Sequence, residues 1–107
     1  MANSGWVRFV ATYADPNEPG SLVIQVGAFT GDTNWTIAPI TSNVSSWRRN
    51  AATDTDTVFF LINRSYDAAQ VQVTWHGSDG AVITQTTIAM LPFQAIQVSA
   101  NASVPVS

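Results

Sequence analysis

Residues 71–88 read Val-Gln-Val-Thr-Trp-His-Gly-Ser-Asp-Gly-Ala-Val-Ile-Thr-Gln-Thr-Thr-Ile, and this stretch decides the fold class. Val71, Val73 and Trp75 alternate with polar neighbours, which is the two-residue period of a strand with one buried face. Asp79-Gly80 supplies the positive φ that a tight hairpin turn requires, and a second strand follows the turn. The stretch therefore predicts two antiparallel strands joined by a hairpin.

Similar strand patterns flank this hairpin on both sides. Val58 to Ile62 is a continuous apolar run, typical of a strand that is covered on both faces. No apolar segment keeps the 3.6-residue period of a helix over the length of a helix. The sequence predicts seven strands, over residues 5–13, 22–28, 35–40, 58–62, 70–76, 82–88 and 93–98.

Short strands at roughly 10-residue spacing are typical of an all-β antiparallel sandwich, so we expect an antiparallel β-sandwich of about seven strands, with a small barrel as the alternative. The 107 residues form a single domain, 1–107, and 101–107 are expected to be a frayed tail. Residues 41–56 are polar and lack a period. Because unpatterned stretches of this length are often functional in small domains, we expect a site there.

Charge is scarce in this chain. Asp, Glu, Lys and Arg make up 10% of the residues, against about 25% in an average soluble domain. The net charge of −3 opposes a role on phosphate backbones, so nucleic acid is not an expected partner. The low charge favours a homo-oligomer that hides part of each exterior, but a neutral surface of the kind secreted bacterial domains carry explains it equally well.

Several site classes are excluded by residues that are missing. The chain has no cysteine, so it forms neither disulfides nor thiolate metal sites. No apolar run approaches the ~20 residues of a membrane helix, so membrane insertion is not expected. The first residues lack the basic and apolar regions of a signal peptide, which leaves the compartment open.

Trp47-Arg48-Arg49-Asn50 is the most distinctive polar cluster. An exposed tryptophan beside two guanidinium groups stacks on a sugar ring and forms planar hydrogen bonds to it. The cluster is therefore a candidate glycan-binding site. The turn after the second predicted strand is expected to contribute Asp32, Asn34 and Trp35.

Two other interpretations of this region remain open. In a structural one, Trp47 packs into the end of the sandwich, and the two arginines pair with Asp54 and Asp56. In the other, these acids bind calcium with Asp32 or Asp67. Asp-x-Asp without the glycine and third acid of a calcium loop is a weak signal, so no metal or cofactor is expected.

Catalysis is not expected either. His76 is the only histidine, and it is predicted on the outward face of its strand, near Asp79. Such a pair is compatible with a general base oriented by a carboxylate, but no nucleophile accompanies it. The seven acids are scattered among turns, whereas glycoside hydrolysis needs two across a cleft. Trp6 and Trp75 lie on predicted strands and are expected in the core or an interface.

The span from Thr57 to Ala100 has a recognisable order of strands and turns. An apolar strand ends at Asn63, an alternating strand runs to an aromatic residue, Asp79-Gly80 follows, and Pro92 precedes the last strand. This order resembles the core of the sensory-rhodopsin transducer superfamily, whose members are small tetrameric β-sandwiches. It is also similar to sandwich repeats of bacterial surface proteins, which carry a strand like Ser4-Gly5-Trp6-Val7.

The resemblance implies partner binding and assembly, with carbohydrate binding in some members. Lysine, which edge strands commonly use to block pairing with other chains, is absent. We therefore expect a non-catalytic interaction and assembly module that self-associates as a homo-oligomer. A glycan-binding module is the alternative.

Overall fold

The computed structural model describes residues 4–15, 17, 21–30, 33–40, 43–50 and 55–104, and for 29, 30 and 33–40 it describes the backbone alone. These residues form eight β-strands and one turn of helix. The elements are β1 (Ser4–Tyr13), β2 (Leu22–Thr30), β3 (Thr33–Ile40), β4 (Val44–Arg48), β5 (Thr55–Asn63), β6 (Ala69–Gly77), β7 (Val82–Met90), β8 (Ala95–Ser99) and α1 (Ala100–Ser103).

The strands form two antiparallel sheets that pack face to face. Sheet 1 has the order β4-β1-β6-β7, and sheet 2 has the order β3-β2-β5-β8. The predicted antiparallel sandwich is confirmed, and the two sheets do not close into the small barrel. Seven of the eight strands are those that the sequence predicts.

Alternating side chains of both sheets build the core. Val7 and Phe9 of β1 and Val73 of β6 are fully buried, as their two-residue period predicts. From sheet 2, the Phe59 ring lies 5.1 Å from the ring of Phe9 and 6.0 Å from that of Trp75. Burying each such aromatic side chain stabilises the fold by about 2 kcal/mol, so these contacts hold the sheets together.

The hairpin between β6 and β7 has the predicted geometry. Gly80 adopts a φ of 87°, and its N–H donates to the carbonyl of Gly77 at 2.9 Å. The Asp79 carboxylate accepts a hydrogen bond from the N–H of Ala81 at 3.1 Å. Asp79 and Gly80 therefore stabilise the turn in the way that the Asp-Gly pattern predicts.

A second tight turn connects β7 to β8. The N–H of Gln94 donates to the carbonyl of Leu91 at 3.1 Å, with Pro92 and Phe93 in the centre. Phe93 has a φ of 59°, in the left-handed region that costs a residue with a side chain roughly 1–2 kcal/mol. Asn63 stabilises this turn, because its buried Nδ2 donates hydrogen bonds to the carbonyls of Asp67 and Leu91 at 3.0 and 3.1 Å.

Part of the polar segment 41–56 forms a strand that the sequence pattern does not indicate. β4 pairs with β1 in antiparallel register, with Trp47 opposite Gly5 and Ser46 opposite Trp6. Trp47 is the one large apolar side chain that β4 directs inward. A single apolar residue in five shows no period, and this is why the strand is missing from the prediction.

The tail predicted as frayed is ordered where the structure describes it. Ala100–Ser103 form a helical turn, and the Ser99 hydroxyl caps it by accepting from the N–H of Ala102. Val104 is buried in the core cluster. The expectation of fraying is therefore wrong for 101–104, and 105–107 lie outside the described residues.

Candidate functional site

Trp47, the centre of the predicted glycan site, belongs to the core. Only 2% of it is exposed, and its ring meets that of Trp75 edge to face at 5.7 Å. Its indole N–H donates to the carbonyl of His76 at 3.0 Å. The indole is therefore no stacking platform for a ligand, because its apolar surface is buried between the sheets and its polar atom already has a partner.

The three residues after Trp47 divide between the interior and the surface. Arg49 is buried, with its guanidinium 6.0 Å from the centre of the Trp47 ring and Nη1 donating to the carbonyl of Val104. Arg48 is exposed, while its backbone N–H and carbonyl both bond to the hydroxyl of Thr57 at 2.9 and 2.8 Å. Asn50 is exposed and forms an isolated β-bridge with Thr55. Arg48 is thus the exposed cation of this cluster.

The remaining candidate residues lie in several parts of the chain. Asn34 and Trp35 lie on β3, at the edge of sheet 2, and their side chains are outside the description. Asp32 and Asp54 lie outside the described residues. Asp56 accepts bonds from the Ser99 hydroxyl and from the N–H of Asn101, so it fixes the start of α1. Within the described part of the chain, no three acidic or histidine side chains cluster as metal ligands would.

The outer face of sheet 1 carries an aromatic stack that the sequence analysis did not single out. Trp6 of β1 and His76 of β6 are register partners, and their rings lie parallel within 5° with centres 3.6 Å apart. Nδ1 of His76 donates to the carbonyl of Gly80 at 3.0 Å, which fixes the imidazole. The guanidinium of Arg8 lies 5.6 Å from the Trp6 ring centre. These contacts hold the Trp6 ring in one orientation.

A cavity of about 600 Å³ opens beside this stack, which is within the size range of small-molecule sites. Trp6, Trp47 and Arg48 are among the residues that line it, together with Val26 and Ala28 of β2. The hydroxyl-bearing residues that line it are Ser4, Ser45, Ser46, Thr57 and Ser78. The cavity thus combines an aromatic ring, a cation and several hydroxyl groups.

The charge on sheet 1 differs in sign from that of the whole chain. None of the seven acids lies on β1, β4, β6 or β7, whereas Arg8 lies on β1 and Arg48 lies on β4.

The site around Trp6 is not visible in the sequence alone. Alternation with Val7 and Phe9 places Trp6 and Arg8 outward, but the proximity of Trp6 to His76 depends on strand pairing, which a local pattern does not show. The sequence therefore predicts only a core or interface position for Trp6.

The other side of the sandwich is formed by β7 and β8, and neither strand contains a charged residue. After Asp79 the chain contains no Asp, Glu, Lys, Arg or His. β7 is one of the two edge strands of sheet 1, and β8 is one of the two edge strands of sheet 2. An opening of about 340 Å³ lies between them, and the residues that line it include Val58, Thr86, Ile88 and Val98. We call this surface the β7/β8 side.

A third surface lies at the end of the sandwich beside the Phe93 turn. Tyr66 is 84% exposed, and its ring meets that of Phe93 edge to face at 5.0 Å. A groove of about 300 Å³ at this end is lined by residues that include Tyr13, Met90 and Leu91. Burial raises the pKa of the Tyr13 hydroxyl above its ordinary value.

Comparison with known proteins gives no match to this chain among family models, curated proteins or solved structures. The resemblance to the sensory-rhodopsin transducer superfamily stays a prediction. Among the described residues, the one helical element has four residues, and no helix is long and apolar enough to cross a membrane.

Proposed function

We propose that this protein is a non-catalytic assembly module whose copies pair through the edge strand β7. One observation carries the proposal: Val82–Met90 is a nine-residue edge strand with no charged residue and no proline. An edge strand presents unpaired N–H and C=O groups along its open side, and these groups form a template for another strand.

Proteins that stay monomeric usually protect such an edge. They use a lysine, a proline, a bulge or a very short strand, each of which interrupts a continuous ladder. β7 has a register irregularity opposite Trp75 and His76, beside the hairpin, and its pairing with β6 is regular from Thr84 to Met90. The greater part of β7 therefore keeps an unprotected edge.

A second copy of the chain is the partner that fits this edge. Two identical strands pair antiparallel about a two-fold axis, which gives a closed dimer with the same residues on both sides. Since β7 and β8 contain no charged residue, these strands of two copies meet without like-charge repulsion between their own side chains, although each copy carries a net charge of −3. The low overall charge of the chain is consistent with such a buried surface.

The ends of β7 also suit antiparallel pairing. Val82 at one end is 59% exposed, and Leu91, just beyond the other end, is 67% exposed. Antiparallel pairing brings the Val82 end of one copy next to the Leu91 end of the other, so both apolar side chains lose contact with water. Burial of apolar surface is the main favourable contribution to most protein association.

The non-catalytic part of the proposal is supported by the surroundings of His76. Its ring stacks on Trp6 and its Nδ1 is bonded to the Gly80 carbonyl, so both groups serve the local structure. Asp79, the carboxylate nearest to it in sequence, accepts from the N–H of Ala81. In their described contacts, the His76 imidazole and the Asp79 carboxylate are not bonded to each other as a general base and its orienting carboxylate would be.

The substitution Thr86→Lys tests the assembly. Thr86 is exposed near the middle of β7, so antiparallel pairing places two copies of the new ammonium group close together. We expect light scattering to give twice the 11.5 kDa of the chain for the wild type at micromolar concentration, and the monomer mass for Thr86→Lys. Like-charge repulsion at the interface is expected to raise the dissociation constant about 100-fold or more.

Gln72→Lys is the matched control. Gln72 is exposed on β6 in the same sheet, but β6 is a central strand with partners on both sides. This variant adds the same charge and is expected to remain dimeric. A wild-type protein that is monomeric at these concentrations, or equal dissociation of the two variants, would show that β7 is not the interface.

A further inference from the structure

We propose that the outer face of sheet 1 around Trp6 binds an acidic glycan, with a sugar ring on Trp6 and anionic groups on Arg8 and Arg48. This site is separate from the β7/β8 side and does not depend on assembly. In this proposal the stacking residue is Trp6, whose ring lies on the outer face of sheet 1. Trp47 is excluded as the stacking residue because it is buried in the core.

The aromatic part of the site is preorganised. His76 covers the side of the Trp6 ring that faces β6, and its own position is fixed by the bond to Gly80. On the side towards β4 the register partner of Trp6 is the small residue Ser46, and the Arg8 guanidinium lies over the ring, 5.6 Å from its centre. A ligand that stacks there loses little binding free energy to ordering the ring, because the protein has already fixed it.

The two arginines flank the ring along the strand direction. On β1, Trp6 lies midway between Ser4 and Arg8, and Ser4 is the register partner of Arg48. The backbones of Arg8 and Arg48 are therefore about 14 Å apart, from four residues at ~3.4 Å each. The Arg8 guanidinium itself lies 5.6 Å from the centre of the Trp6 ring, next to the place of the sugar. Two cations in this arrangement suit successive carboxylates or sulfates along a chain, and each guanidinium forms planar, charge-assisted hydrogen bonds to such a group.

The surroundings of the ring favour an anionic sugar over other ligands. The strands of sheet 1 contain no Asp or Glu, so an anion meets no carboxylate on them. Hydroxyl groups of Ser4, Ser46 and Ser78 line the adjoining cavity of about 600 Å³ and complement the hydroxyls of a sugar. The net charge of −3 disfavours the long phosphate backbone of a nucleic acid, on which many cations act together.

Titration with defined polysaccharides tests this site. The probes are oligogalacturonate for carboxylates, chondroitin sulfate for sulfates, and dextran as a neutral sugar. We expect calorimetry to show that at least one acidic probe binds, and we expect this probe to change the tryptophan emission. Dextran is expected neither to bind nor to change the emission. The acidic probe that binds more tightly identifies the preferred anion.

Two variants locate the binding on the Trp6 face. Trp6→Ala and the double variant Arg8→Gln/Arg48→Gln are each expected to weaken binding at least about tenfold. Arg64→Gln is the control for loss of positive charge elsewhere, because Arg64 is exposed on the turn between β5 and β6, at the end of β6 that is far from Trp6 and His76. Far-UV circular dichroism checks that each variant keeps the strand content of the wild type.

The proposal would be overturned by the absence of binding to both acidic probes, by equal binding of dextran, or by equal weakening through Arg64→Gln. A single-stranded DNA oligonucleotide that binds as tightly as the acidic sugars would also overturn it, since the site would then recognise phosphate. The monomeric variant Thr86→Lys is expected to bind the glycan as well as the wild type, so failure of the assembly proposal is distinguishable from failure of this one.

Discussion

Replacement of Gly5 by alanine is expected to lower the free energy of unfolding by about 3 kcal/mol or more, although it adds one methyl group. A Cβ on Gly5 would lie 1.9 Å from the carbonyl oxygen of His76 and within 3 Å of backbone carbons of His76 and Gly77. These are backbone atoms of the neighbouring strand, so no side-chain rotation relieves the overlap. β1 and β6 would have to separate at this point.

The separation would also disturb Trp47. Gly5 lies between Trp47 on β4 and Gly77 on β6, as the register partner of both. The Trp47 indole bonds to the carbonyl of His76, so its side chain crosses over Gly5 to reach β6. A side chain at Gly5 would occupy the space that the indole crosses, and the substitution would therefore affect three strands of sheet 1.

Urea denaturation of Gly5→Ala and Gly80→Ala measures this effect. At Gly80 a Cβ meets no atom within 4 Å, and only the positive φ of 87° opposes a side chain. That strain costs roughly 1–2 kcal/mol. If Gly5→Ala destabilised the protein no more than Gly80→Ala, the close approach of β1 and β6 at Gly5 would be contradicted.

Truncation of Trp47 is the second substitution with a large expected effect. Trp47→Ala is expected to destabilise the fold by about 3–5 kcal/mol, as is usual for a buried aromatic residue. The substitution leaves a cavity beside Trp75 and removes the hydrogen bond to the His76 carbonyl. It also removes the ring against which the buried Arg49 guanidinium packs.

Trp6→Ala is the matched comparison, since Trp6 lies on the next strand with its ring on the outer face. We expect it to destabilise the fold by about 1 kcal/mol, because the half-buried ring loses its stack with His76 and little else. Denaturation midpoints of the two variants measure the difference. A Trp47→Ala protein as stable as Trp6→Ala would contradict the burial of Trp47.

The fold could be predicted from the sequence because its determinants are local. The alternation in β1 and β6, the apolar run of β5 and the Asp79-Gly80 turn each specify their own element. β5 shows one limit of this reasoning: Phe59 and Leu61 are in the core, while Phe60 and Ile62 are only half-buried. The sequence pattern alone predicts that both faces of this strand are covered.

The candidate sites could be predicted less well, because they depend on pairing between distant strands. Trp47 and Trp6 both lie near arginines in the sequence, and no local pattern says which ring is buried. The register of β4 on β1 decides this, with Trp47 inward and Ser46 beside Trp6 outward. The sequence shows that no charged residue follows Asp79. It does not show that β7 and β8, the strands in this part of the chain, are edge strands on the same side of the sandwich.

The segregation of charge has a consequence for the response to ionic strength. Dissolved ions screen exposed charges beyond ~10 Å at 0.1 M salt, and more strongly at higher concentration. Arg8 and Arg48 are subject to this screening, so salt weakens any binding of an anion to their face. The strands β7 and β8 contain no charged residue to be screened, and salts that are excluded from protein surfaces strengthen the burial of their apolar residues. We therefore expect added salt to favour the proposed pairing through β7 and to weaken the proposed binding of an acidic glycan.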